Sequence, residues 1–195
     1  MSIICDNPIE TFAISLFAVT HLCYFMTFRY EYYMNLNYFL LVEFNNICLF
    51  VWTYWSGYPI EDTSFQPHYM LLLLFWADFW IYISHRLFHS RLLYKYIHSI
   101  HHQRTYPQPY DSFYCHPVEN FFQNWCIIGI PIFIWPLSKL TIAIMGTLFI
   151  LNSLVAHESR SNGFHIVHHK YYHLNYGAGF HIMDKLFRTY VDEVD

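Results

Sequence analysis

Long apolar runs separated by short polar stretches dominate the chain. Five of the runs, Thr11–Phe28, Leu36–Tyr54, Tyr69–Ser84, Phe121–Pro136 and Lys139–Ala156, are mostly apolar. They approach the length of about 20 residues that a membrane-spanning helix requires. The second run carries Glu43 and the pair Asn45–Asn46, and the third carries Asp78. A turn around Trp135–Pro136–Leu137–Ser138 joins the last two into an expected helical hairpin, with Pro131 placed to kink its first arm. Several runs lie near the lower length limit, so four spans, or a hairpin only partly inserted, stay open beside five. The first run follows no basic stretch and precedes no small-residue cleavage site, so it reads as a retained span.

The cations orient this pattern. If His85 emerges on the cytosolic side, then Arg29, Arg86, Arg91, Lys95, Arg104, Arg160, Lys170, Lys185 and Arg188 all face the cytosol, and only Lys139 faces away. Residues 57–67 hold Glu61 and Asp62 but no Lys or Arg, as the positive-inside rule expects of an outer loop. The expected fold class is therefore all-α integral membrane, with four to five transmembrane helices and a cytosolic histidine-rich helical cap.

Composition agrees. Charged residues make up 12% of the 195 and hydrophobic ones 55%, too little polar surface for an ordinary soluble globule. A content of 22% aromatics is the reverse of the disordered signature. A net charge of −4 without a basic run argues against nucleic acid as a partner. The five cysteines form no C-x-x-C pair and read as buried free thiols.

The histidines change the picture. There are 14, against 10 Lys plus Arg. Nine fall in two windows: His85-x-x-x-His89 and His98-x-x-His101-His102, then His157 and His165-x-x-His168-His169. Residues three and four apart share one face of a helix, so each box can aim its imidazoles at one point. Neutral imidazole is a common ligand of zinc, iron and copper, and one ion takes four to six donors. Nine imidazoles are too many for one ion and suit two. A lone histidine is most often a satisfied polar residue, and His21, His68, His173 and His181 read that way. A pH sensor would not need repeated helical spacing.

The string Asp78-x-x-x-Tyr82-x-x-His85-Arg86-x-x-His89, then Leu93-Tyr94-x-x-x-His98-x-x-His101-His102, resembles the fatty acid hydroxylase/sterol desaturase superfamily. The likeness continues through Tyr114-x-His116-Pro117-x-Glu119, Phe164-His165-x-x-His168-His169, Asn175-Tyr176-Gly177 and Asp184. The H-P-x-E element looks closest to 4-methyl sterol oxidases. The resemblance implies a membrane oxidase that hydroxylates or desaturates a lipid C–H (sterol, sphingoid or fatty acyl) with O2 and two electrons. It implies two iron ions, a b-type cytochrome or related reductase as donor, and the endoplasmic reticulum or a related membrane as location. In a purified sample zinc can occupy the same donors. The metal residues carried over are His85, His89, His98, His101, His102, His157, His165, His168 and His169. On this reading residues 1–66 are anchor helices, 67–190 the hydroxylase-like catalytic domain and 191–195 an acidic tail.

Asp78, Glu119 and Asp184 are the acids expected to orient imidazole N–H groups, and Glu158 is a weaker candidate. His116 either ligates or holds the entry to the next helix. Asn152, five residues before His157, is a further candidate to complete the site. Two departures stand out: Glu158-Ser159 follow His157 where the family often has a small residue and Gly, and Arg188-Thr189 replaces a common Gly-Thr. Three other readings compete. Dimetal hydrolysis calls for carboxylate-rich ligation, metal transport for ligands at mid-membrane, and a decayed metal- or lipid-binding protein for damaged boxes.

Overall fold

A computed structural model describes residues 36–57, 60–158, 164–177 and 179–192. The run Thr11–Phe28, His21 and the acidic tail 193–195 lie outside the described residues. Most of those described are helical, and none lies in a strand. Helix α1 is Leu36–Gly57, α2 is Pro67–Phe88 and α3 is Arg91–Tyr96. Two 3-10 turns follow, His98–Gln103 and Pro109–Phe113. The short α4, Pro117–Glu119, runs through a π-helical stretch, Asn120–Trp125, into α5, Cys126–Ile134. Then come α6, Lys139–Ala156, α7, Phe164–Tyr171, and α8, Ile182–Leu186.

Three helices among the described residues are long and apolar enough to cross a membrane: Leu36–Ser56, Pro67–Phe88 and Lys139–Ala156. The Phe121–Pro136 run differs from expectation. It is broken by the π-helical stretch, and its regular α-helical part has only nine residues, with Pro131 inside it. Helix α1 exposes Leu40, Phe44, Ile47, Val51 and Trp55 at a spacing of three and four. A surface stripe of this kind suits lipid better than water.

Polar side chains within the spans tie the bundle together. Asn45, fully buried on α1, donates through Nδ2 to the carbonyls of Phe113 (2.9 Å) and Cys115 (2.8 Å), and its own carbonyl accepts from Asn120 Nδ2 (2.9 Å). At the other end of the bundle, Gln66 Nε2 donates to the Pro136 carbonyl (3.0 Å), and Gln66 Oε1 accepts from the Ser138 N–H (2.8 Å). Ser138 caps α6 by accepting from the Thr141 N–H (3.1 Å). The starts of α2 and α6 are thereby joined, so the two helices run in the same direction. Leu73, Ile128, Leu137, Ile142 and Met145 fill the space between α2, α5 and α6. Both long helices then end at the histidines.

Candidate metal centre

The nine histidines singled out by spacing meet in two groups. His85, His89, His98, His102 and His168 form one; His101, His157, His165 and His169 form the other. Helix α2 delivers His85 near its end and His89 at its C-cap. The 3-10 turn His98–Gln103 sends His98 and His102 to the first group and His101 to the second. Helix α7 splits likewise, His168 to the first and His165 and His169 to the second. His157 is the C-cap of α6.

The tautomers follow from the partners. Carbonyl oxygens can only accept, so an imidazole bonded to one through Nδ1 carries its proton there. Such bonds run from His85 Nδ1 to Tyr176 O (2.8 Å), His168 Nδ1 to Leu174 O (2.7 Å), His157 Nδ1 to Ser153 O (2.8 Å), His169 Nδ1 to Arg104 O (2.9 Å) and, longer, His101 Nδ1 to Tyr114 O (3.4 Å). In each case Nε2 is left with a bare lone pair. Those lone pairs converge. In the five-histidine group the Nε2 contacts are 3.0 Å (His85–His98, His89–His168, His89–His98, His98–His102) and 3.1 Å (His102–His168). Around His101 in the four-histidine group they are 3.2, 3.2 and 3.5 Å to His157, His169 and His165. Lone pairs aimed at each other at this range repel unless a cation sits among them. With metal–nitrogen bonds of about 2.0–2.1 Å, donors at right angles are about 3.0 Å apart and tetrahedral donors about 3.4 Å apart. The donor set and its spacing therefore fit a five- or six-coordinate ion in the larger group and a four-coordinate ion in the smaller.

Electrostatics point the same way. Burial pushes His98, His101, His102, His165, His168 and His169 well below the ordinary histidine range, with neighbouring imidazoles adding to the effect. His89, less enclosed, is lowered by burial to about 4. All remain neutral near pH 7, the state a metal requires of them.

The three acids divide. Glu119, 3% exposed, touches the cluster directly: its Oε1 accepts from His98 Nδ1 at 2.8 Å. Burial raises its pKa well above the carboxylate range, whereas a cation on His98 Nε2 would strengthen the Nδ1–H donor and favour the carboxylate. Asp184 acts one step further out. Its Oδ1 accepts from the Tyr176 N–H (2.9 Å) and Thr189 Oγ1 (2.7 Å), and its Oδ2 accepts from the Gly177 N–H (2.7 Å). It thus fixes the residue whose carbonyl orients His85. Asp78 accepts from the Met183 N–H (3.0 Å) and ties α2 to α8. His116 joins neither group; its Nδ1 accepts from the Val118 N–H (3.1 Å) and caps α4. Asn152 lines a cavity beside the cluster. His68 and His173 are exposed, and His181 stacks on Phe164.

Sequence reasoning missed the carbonyls that orient the rings, because a carbonyl has no residue identity to read. It also missed Asp111, which accepts from Tyr38 Oη (2.6 Å), Arg104 Nη1 (3.1 Å) and the Gln108 N–H (2.7 Å) and so holds Arg104, the carbonyl partner of His169. The spacing Gln108-x-x-Asp111, which forms a reciprocal cap, was the available signal.

The family model described as fatty acid hydroxylase matches residues 70–189. The chain belongs to the fatty acid hydroxylase family. The match spans every histidine of both groups. Among curated relatives, a Delta(7)-sterol 5(6)-desaturase of Gibberella zeae is 35% identical over 128 residues, 61% of this chain and 36% of the relative. Human lathosterol oxidase is 30% identical over 129 residues, 60% of this chain and 43% of the relative. Methylsterol monooxygenase 2-2 of Arabidopsis thaliana is 30% identical over 151 residues, 69% and 56% respectively. The sterol-oxidase resemblance is thus borne out, while the chain spans between about a third and somewhat over half of these relatives' lengths. No solved structure matches the chain.

Proposed function

We propose that this protein is a membrane-embedded dimetal oxidase that hydroxylates or desaturates a C–H bond of a sterol-class lipid. The observation that carries this is the convergence of Nε2 atoms in two groups, with the Nδ1 atoms of six of the nine rings held by carbonyls or by Glu119. Two bound iron ions would supply O2 activation. The chain's own residues do the rest. The carbonyls of Tyr176, Leu174, Ser153 and Arg104 fix the ring orientations. Glu119 offsets positive charge at His98, and the apolar helices exclude water and hold the lipid. The names of the sterol-acting relatives support the substrate class. The cation pattern supports a cytosolic cap on an endoplasmic-reticulum protein, reached there by a b-type cytochrome or reductase that delivers two electrons.

Purified from iron-supplied cells, the protein is expected to hold about two transition-metal ions per chain, one per histidine group, and His101→Ala to lose most of them. Fewer than about one ion per folded chain would refute the dimetal reading. Lipid profiles of cells expressing the wild type, set against a His168→Ala/His169→Ala double variant, are expected to differ in sterols. No change in any lipid class would count against an enzyme.

A further inference from the structure

A cavity inside the bundle is bounded by α1, α2, α5, α6 and the π-helical stretch. At the cap end it reaches His85, His101, His157 and His165, three of them from the four-histidine group. At the other end it reaches Lys139, the first residue of α6. One face of α6, including Ile142, Gly146, Phe149 and Ser153, forms its wall.

Gly146 is unexplained by the fold. A glycine inside a helix costs about 1 kcal/mol relative to alanine. Gly129 has a reason: a Cβ there would lie 2.4 Å from the Trp125 ring. At Gly146 a Cβ would meet no atom of the described residues within 4 Å, and the backbone is not left-handed. Neither close packing nor φ demands a glycine, yet its missing side chain widens the cavity. It sits 11 residues before His157, about 16 Å along the helix axis. A second observation indicates an occupant bearing oxygen. Ser112 Oγ, on a residue 5% exposed, and Gln123 Nε2 are buried without a hydrogen-bond partner among the described residues, and both residues line this cavity.

We propose that Gly146 is the specificity-determining position of this cavity, leaving width for the fused rings of a hydroxylated sterol where a side chain would admit only a slender acyl chain. The inference rests on the proposed lipid oxidase and names the feature that selects its substrate class. The test uses the full chain in detergent as wild type, Gly146→Ala and Gly146→Leu. Equilibrium binding of lathosterol and of palmitic acid is measured, with metal content and melting temperature on the same samples. In Gly146→Leu, lathosterol affinity is expected to fall at least about tenfold, the cost of overfilling a packed site. Palmitic acid is expected to change by less than about threefold. Gly146→Ala falls between, the melting temperature does not drop, and the metal content stays at the wild-type value. Unchanged lathosterol binding, an equal loss of both probes, or a lower melting temperature (protein then filling the space) overturns the proposal. So does wild-type protein that binds neither probe. If that protein still carries its metals, the failure lies in the cavity reading and not in the metal centre.

Discussion

Replacing Glu119 by Gln keeps the shape of the side chain and removes its charge. The effect should fall on one metal only. Glu119 reaches the five-histidine group through His98 Nδ1 at 2.8 Å, and the hydrogen bonds of the four-histidine group go to backbone carbonyls instead. Removing the partner behind a metal-bound histidine lowers affinity by about 10–100-fold, or about 1.4–2.8 kcal/mol. The low exposure of Glu119 keeps solvent screening from diluting the effect. Purified wild type and Glu119→Gln would be dialysed against graded chelator and the metal per chain measured by mass spectrometry. The variant is expected to release one ion at chelator concentrations about tenfold or more below wild type, the second leaving as in wild type. Simultaneous loss of both ions, early or late, would refute the assignment of Glu119 to one group.

Four further outcomes follow from the same contacts. Metal-free protein should melt lower at pH 5 than at pH 7.5. His89 binds its proton only near pH 4 when folded and near its ordinary value when unfolded, so stability is full above about 6.5 and falls as pH drops toward 4; an equal or higher melting temperature at pH 5 contradicts this. Gly177→Ala places a Cβ 2.7 Å from Asp184 Oδ2 and should destabilise by about 1–3 kcal/mol, with metal lost as Tyr176 shifts off His85; calorimetry and metal counting check both. Arg188 holds φ 58, the region that favours glycine, so Arg188→Gly should raise stability by about 1 kcal/mol, read as a higher melting temperature. Asn45→Leu leaves the Phe113 and Cys115 carbonyls without their donor, and denaturant unfolding should show a loss of about 2–4 kcal/mol.

The imidazole cluster was legible because ligand spacing is a local property. His85-x-x-x-His89 and the two H-x-x-H-H boxes state their own helical face, whatever surrounds them. The allotment was not legible: His101 and His102 are adjacent yet serve different groups, because the 3-10 turn points neighbouring residues in different directions. Asp78, Glu119 and Asp184 stand alike as acid candidates in sequence; in the fold Glu119 accepts from His98, whereas Asp78 and Asp184 bind backbone N–H groups. The departure Arg188-Thr189 gains a meaning that only dihedrals supply. Arg188 stands in a left-handed position, and Thr189 keeps its bond to Asp184 without the glycine. Of the apolar runs, three are long helices apolar enough to cross a membrane, while the π-helical stretch in the fourth left no mark in hydropathy.

That π-helical stretch preserves an angular phase. At Asn120–Trp125 the backbone bonds reach one residue further than in an α-helix, as in Cys126 N–H to Phe121 O. Such a stretch behaves as a single inserted residue. The extra residue is taken up in one wide turn, so the helix on either side keeps its phase. Deleting it would straighten the turn and leave Glu119 facing His98, whereas deleting one residue from the regular helix α5 would rotate the segment carrying Glu119 by about 100° against the rest of that helix. Two one-residue deletions less than two turns apart, alike by hydropathy, would then have opposite outcomes at the histidine cluster.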